Sequence, residues 1–146
     1  MACNQRLKSA HYKSAQSAYN NATQTMPATA TPVNVLGVLA TDTGCSIDTN
    51  TGGFTIECSG LYRISYDVTF TATAAGTETL QGLKDTMELP CMTAQATSAA
   101  SGTVTLHAET VLYIPACCGS TPTISAVLSG VAGTVTHVCA SVVKLA

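Results

Sequence analysis

Between residues 60 and 70 apolar and polar side chains alternate without a break. Tyr62, Ile64, Tyr66, Val68 and Phe70 fall on one side of an extended chain, and Arg63, Ser65, Asp67 and Thr69 on the other. A period of two built from aromatic and β-branched residues predicts a half-buried strand. A helix would scatter the same side chains around its circumference. From residue 31 onward the chain continues as short segments of this kind, punctuated by turn residues. Positions 33–40 are apolar and β-prone, and 45–58 reads as a hairpin turning at Asn50-Thr51-Gly52-Gly53, with glycines where positive φ is needed. That centre sets Ile47 opposite Ile56 and Cys45 opposite Cys58, with Phe54 on the same face. Positions 77–83 and 87–96 flank a turn at Lys84-Asp85, and 98–102 turns into a long strand over 103–114. There Val104, Leu106, Ala108, Leu112 and Ile114 share a face. A loop at 115–122, a short apolar strand at 124–128 and a turn at 129–133 lead to the last strand, 134–145. This strand is apolar on both flanks, with Val138, Ala140 and Val142 on one and Cys139, Val143 and Leu145 on the other. A strand apolar on both faces is covered on both. One cover is the domain core, and the other is expected to be a neighbouring chain.

The first 31 residues break this pattern. They are rich in Asn, Gln, Ser, Ala and Thr, show neither period, and hold few large apolar side chains. Such a segment does not bury enough surface to fold alone. It is expected to be an N-terminal arm (1–31), anchored through Cys3, His11, Tyr12 or Tyr19 along a neighbouring subunit or supporting surface, ahead of one domain over 32–146. The length of 146 residues fits a single core. Charged residues make up 10% of the chain, against roughly 25% in average domains. Either other subunits cover much of the surface, or Thr, Ser, Asn and Gln supply it. A net charge of -2 argues against a nucleic-acid partner. No apolar run is long enough to cross a bilayer, so no membrane partner is expected. The first ten residues lack the hydrophobic core of a Sec signal, and the Asn21-Ala22-Thr23 sequon is expected to be idle.

At the 60–70 strand the pattern becomes specific. Gly60-Leu61-Tyr62, the alternation through Tyr66, and Val68-x-Phe70 resemble the signature strand of the tumour-necrosis-factor and complement globular-head superfamily. The stretch 101–109 and the ending Val142-Val143-Lys144-Leu145 occupy the places of that superfamily's later strands. The resemblance covers roughly 33–146 and is closest to small bacterial and phage members. It implies an all-β jelly-roll β-sandwich of about 8–10 strands that forms a homotrimer, with the terminal strands near the threefold axis. Carried over by position, Leu61, Arg63, Ser65, Asp67 and Thr69 would face that axis, in company with Cys139, Val143 and Leu145. Cytokines carry aromatic residues there. Here Arg63 and Asp67 would form charged pairs between subunits. No Gly-X-Y stalk is present, which leaves attachment to the arm.

Chemistry changes this picture little. No carboxylate pair, nucleophile elbow, P-loop or dinucleotide fingerprint stands out, so neither enzymatic activity nor a cofactor is expected. His137 and Cys139 share a strand with His107 on a potential neighbour. Three symmetry copies of one histidine could hold a metal, but there is no C-x-x-C pair and no metal site is predicted. The seven cysteines admit two readings, buried reduced thiols or a cross-linked assembly. In the second, Cys45–Cys58 is the favoured intrachain bridge. Adjacent Cys117 and Cys118 would each bond a different partner, with Cys3 of a neighbour's arm as one candidate. The function expected from all this is a structural, self-assembling surface protein. Its leading form is a phage head fibre or capsid decoration trimer on a virion surface, docked onto other structural proteins through residues 1–31. A spore-surface or extracellular filament subunit, or a receptor- or glycan-binding trimeric module, are the alternatives.

Overall fold

The computed structural model describes residues 13–44, 46–116 and 120–146. Twelve strands run through the described residues: β1 (Ala15–Asn20), β2 (Gln24–Met26), β3 (Thr31–Pro32), β4 (Val38–Thr43), β5 (Ile47–Asn50), β6 (Gly53–Ile56), β7 (Gly60–Ala72), β8 (Gly76–Lys84), β9 (Met87–Ser98), β10 (Thr103–Ile114), β11 (Thr123–Ser129) and β12 (Gly133–Lys144). They form two antiparallel sheets. The first has the order β10-β7-β12-β1-β4, with β2 also on β12. The second has the order β5-β6-β11-β8-β9, with β3 also on β11. The chain is an all-β jelly-roll sandwich.

The alternation that opens the reading sets the core. Tyr62, Ile64, Tyr66, Val68 and Phe70 are fully enclosed between the sheets, each contributing roughly 1.5–3 kcal/mol of transfer free energy. Across the sandwich, Phe54 of β6 meets Tyr66 edge to face, with ring centroids 6.2 Å apart. Leu106, Ala108 and Ile114 of β10 and Val135, Val138, Ala140 and Val142 of β12 complete the same layer. The β5–β6 hairpin has the expected register, Ile47 opposite Ile56 and Asn50 opposite Gly53. Gly53 has φ +143°, and a Cβ there would collide with the carbonyl oxygen of Ile124. Only glycine fits that close approach.

Two expectations are corrected. The segment expected to be an arm supplies β1, which lies between β12 and β4 in the first sheet. Its inward side chains are Gln16, Ala18 and Asn20, all buried. Gln16 donates from Nε2 to the Asp42 carboxylate and accepts the Thr49 hydroxyl at 2.7 Å, which ties the first sheet to β5 of the second. Asn20 donates from Nδ2 to the Asn34 carbonyl at 3.2 Å. Burial by hydrogen bonding rather than by hydrophobicity explains why no apolar period marks this strand. Residues 1–12, the rest of the expected arm, lie outside the described residues. The second correction concerns 33–40. Val33 and Val35 enter the core without joining a strand, and β4 begins only at Val38.

Candidate assembly face

The first sheet turns one face inward, and no described residue covers the other. Backbone register fixes the rows on that outer face. Tyr113 lies beside Leu61, and the Leu145 N–H donates to the Leu61 carbonyl at 2.7 Å. The next row runs Val111, Arg63, Val143, Ala15, Thr43. It is followed by Glu109, Ser65, Ser141, Ser17, Thr41, and then by His107, Asp67, Cys139, Tyr19, Val38. The seven positions expected at a trimer interface, Leu61, Arg63, Ser65, Asp67, Cys139, Val143 and Leu145, therefore stand together on this face. The period of two puts them there once β7 and β12 pair in this register.

Sequence reasoning missed the contribution of β10 and of the β1–β4 edge. Among the described residues of the single chain, six large apolar side chains stand exposed: Val38, Leu39, Met87, Val111, Tyr113 and Leu145. Five of these belong to β4, to β10 or to the residue after β12. Tyr113 is 62% exposed and Val111 50%. Their signal was present, since Val111 and Tyr113 fall out of phase with the inward set of β10. β4 is exposed at all six residues, held by its ladder to β1.

The polar groups of the face are organised locally. Ser65 and Ser141 share a hydroxyl hydrogen bond of 2.9 Å, and Thr71 and Thr103 another of 2.9 Å. His107 Nδ1 lies 2.7 Å from Asp67 Oδ1, and its Nε2 lies 3.9 Å from Glu109 Oε2. His137 Nδ1 sits 2.5 Å from Asn21 Oδ1. β7 separates the two histidines, His107 facing Asp67 and His137 facing Thr69. Among the described residues no three His, Cys, Asp or Glu side chains converge as metal ligands.

Cys58, Cys91 and Cys139 are free thiols. The expected Cys45–Cys58 bridge is therefore not formed. Cys58 is buried at the end of the core, where its carbonyl accepts the Tyr62 hydroxyl at 2.6 Å. Burial raises the Tyr62 pKa above the ordinary tyrosine range, the nearby Cys58 thiol adds to the rise, and Ser46 partly offsets it. Cys45 itself, and Cys3, Cys117 and Cys118 of the expected arm linkage, lie outside the described residues. Inward polar groups without a hydrogen-bond partner among the described residues were not foreseen, the Lys144 ammonium included. The Tyr66 hydroxyl is fully buried and finds no hydrogen-bond partner among the described residues. Glu78 is also enclosed; its Oε2 accepts from the Val131 N–H at 2.7 Å, while Oε1 is unpartnered.

No protein-family model matches the chain, and no curated protein matches it by sequence. Solved structures do match. The PRD1 vertex protein P5 is 13% identical with a TM-score of 0.69, over 91% of this chain and 97% of that one. An Eiger TNF from S. frugiperda is 10% identical with a TM-score of 0.67, over 92% of each chain. The globular domain of a zebrafish complement 1qA protein is 13% identical with a TM-score of 0.66, over 92% of this chain and 98% of that one. Identity this low speaks for the fold alone, and the fold is the jelly roll shared by tumour-necrosis-factor proteins and complement globular heads.

Proposed function

Starting from that jelly roll, we propose that the chain is a structural, self-assembling surface protein that works as a homotrimer. Its leading form is a phage head fibre or capsid decoration protein, attached to other structural proteins of the virion. The observation that carries the reading is the uncovered outer face of the first sheet. Apolar side chains stand at opposite ends of that face, Val111 and Tyr113 on β10 and Val38 on β4. Two different patches on one sheet favour head-to-tail contact, and a head-to-tail contact that closes gives a ring. The likeness to a phage vertex protein accords with a virion setting.

The full chain is expected to sediment as a trimer. Val111→Asp with Tyr113→Ser should return it to a monomer that keeps its β-sheet circular dichroism. A wild-type chain that stays monomeric at high protomer concentration would remove the assembly reading. Electron microscopy of particles carrying a labelled copy tests the virion setting, and label absent from the particle surface would count against it.

A further inference from the structure

This inference rests on the trimer reading and concerns how assembly through the same face is regulated. The outer face carries few charges, and they lie close together. Arg63 and Asp67 come from β7, and His107 and Glu109 from β10. His107 lies between the two carboxylates, 2.7 Å from Asp67 and 3.9 Å from Glu109, and both carboxylates are about half exposed in the single chain. Arg63 stands opposite Val111, diagonal to Glu109, and forms no ion pair among the described residues.

The other neighbours of His107 hold no compensating charge. On the far side of β7, β12 presents Cys139 beside Asp67 and His137 beside Thr69. β9, which packs along the free edge of β10, has Glu88 and Cys91 as its titratable side chains, both in its first half. β8 contributes Lys84 at its far end and Glu78, which faces inward. With His107 neutral, Arg63 (+1), Asp67 (−1) and Glu109 (−1) leave the face at −1 per chain. With His107 protonated the same four groups sum to zero.

We propose that the Asp67–His107–Glu109 cluster makes trimer assembly pH-dependent, so that chains associate more tightly as His107 takes up a proton. In the single chain, water screens the two half-exposed carboxylates, and the state of His107 matters little to them. Assembly removes that water from three copies of the face at once. Unbalanced negative charge then costs more, because Coulomb interactions strengthen as the local dielectric falls. The assembled state therefore holds the His107 proton more tightly than the free chain does, and assembly takes up protons. By linkage, any equilibrium that takes up protons is favoured on acidification and lost as pH rises. Histidine side chains in general change charge between about pH 5 and 8, which sets the pH values to compare. With up to one proton per chain, the half-assembly concentration would rise by as much as about thirtyfold per pH unit.

Sedimentation of the full chain at about pH 5.5 and about pH 8 tests this over a range of protomer concentrations. The wild type should reach half-assembly at a much lower concentration in acid. His107→Gln should hold the weak, alkaline level at both pH values, since it leaves one negative charge per chain unbalanced. Glu109→Gln and Asp67→Asn should each strengthen assembly at the higher pH. All three changes lie on an exposed face, so each variant is expected to keep its fold, checked by circular dichroism. A wild-type trimer with the same half-assembly concentration at both pH values would overturn the inference and leave the proposed function standing. A chain that is monomeric at both would overturn both.

Discussion

Tyr62 and Tyr66 share a strand and a face, and both are fully buried, yet their hydroxyls are in opposite situations. Tyr62 donates to the Cys58 carbonyl at 2.6 Å, whereas the Tyr66 hydroxyl has no partner among the described residues. Replacing each by phenylalanine removes one oxygen and leaves the ring. At Tyr62 the loss is a hydrogen bond with a net value of about 0.5–1.5 kcal/mol, and the Cys58 carbonyl is stranded as well. A destabilisation of about 1–3 kcal/mol follows. At Tyr66 nothing is broken, and the desolvation penalty of an unsatisfied buried hydroxyl, about 1–3 kcal/mol, is relieved. A small loss of dispersion contact offsets part of that gain. Tyr66→Phe should therefore be neutral or stabilising by up to about 2 kcal/mol.

Urea unfolding at a fixed protomer concentration measures both variants, because association adds concentration dependence to apparent stability. The slope m should stay at its wild-type value, so that shifts in midpoint report free energy alone. A gap of about 2–4 kcal/mol between the two variants is expected, or about 5–15 °C in Tm for a chain of this size. Equal losses at both positions would refute the reasoning, because they would mean that the Tyr66 hydroxyl is satisfied in the folded state.

Glu78 supplies a pH prediction. Burial raises its pKa above the ordinary carboxylate value, and the Val131 N–H offsets the rise only in part. A raised folded-state pKa means stability that is fully present below the unfolded pKa and is lost as pH rises through the folded one. Glu78→Gln should accordingly stabilise the chain at neutral pH and change little at about pH 4, where the wild type is protonated; thermal melts across pH check it, and a loss at neutral pH would contradict it. The thiols give a third test. In the free chain Cys91 and Cys139 are exposed and Cys58 is buried, so a thiol reagent should label Cys91 and Cys139 faster than Cys58. In the assembled protein Cys139 should become protected while Cys91, on the second sheet, stays reactive; equal labelling of both would place the interface elsewhere.

How much of this could be read from the sequence depended on whether burial followed hydrophobicity. It did in β7, where five alternating large side chains admit one face and one register. It did in β10 and β12, and in the Asn50–Gly53 turn, whose glycine is forced by the Ile124 carbonyl. It did not in β1. Gln16 and Asn20 are buried through hydrogen bonds to groups far away in sequence, Asp42, Thr49 and Asn34. Such partners exist only once the sheets have come together, so no local pattern announces them. Glu78 is unreadable for the same reason, since its Val131 partner arrives on another turn. The cysteine pairing rested on facing positions alone, which says nothing about whether the thiols meet or oxidise.

The assembly face lies between these two cases. Its apolar content showed in the terminal strand, where Val138, Ala140 and Val142 are enclosed while Leu145 is 48% exposed on the opposite flank. Four exposed apolar side chains of that face, Val38, Val111, Tyr113 and Leu145, are each about half in water. Half of a full burial gain of about 1.5–3 kcal/mol leaves about 1 kcal/mol each, or about 4 kcal/mol per chain, still to be realised. Association costs about 4–15 kcal/mol in lost freedom. These terms are of similar size, so the apolar patches bring the chains to the edge of association without committing them to it. In that balance a single unmatched charge per chain, worth a kcal/mol or so when half desolvated, carries the decision. For that reason the charge state of His107 should govern a face whose area is set mainly by Val38, Val111, Tyr113 and Leu145.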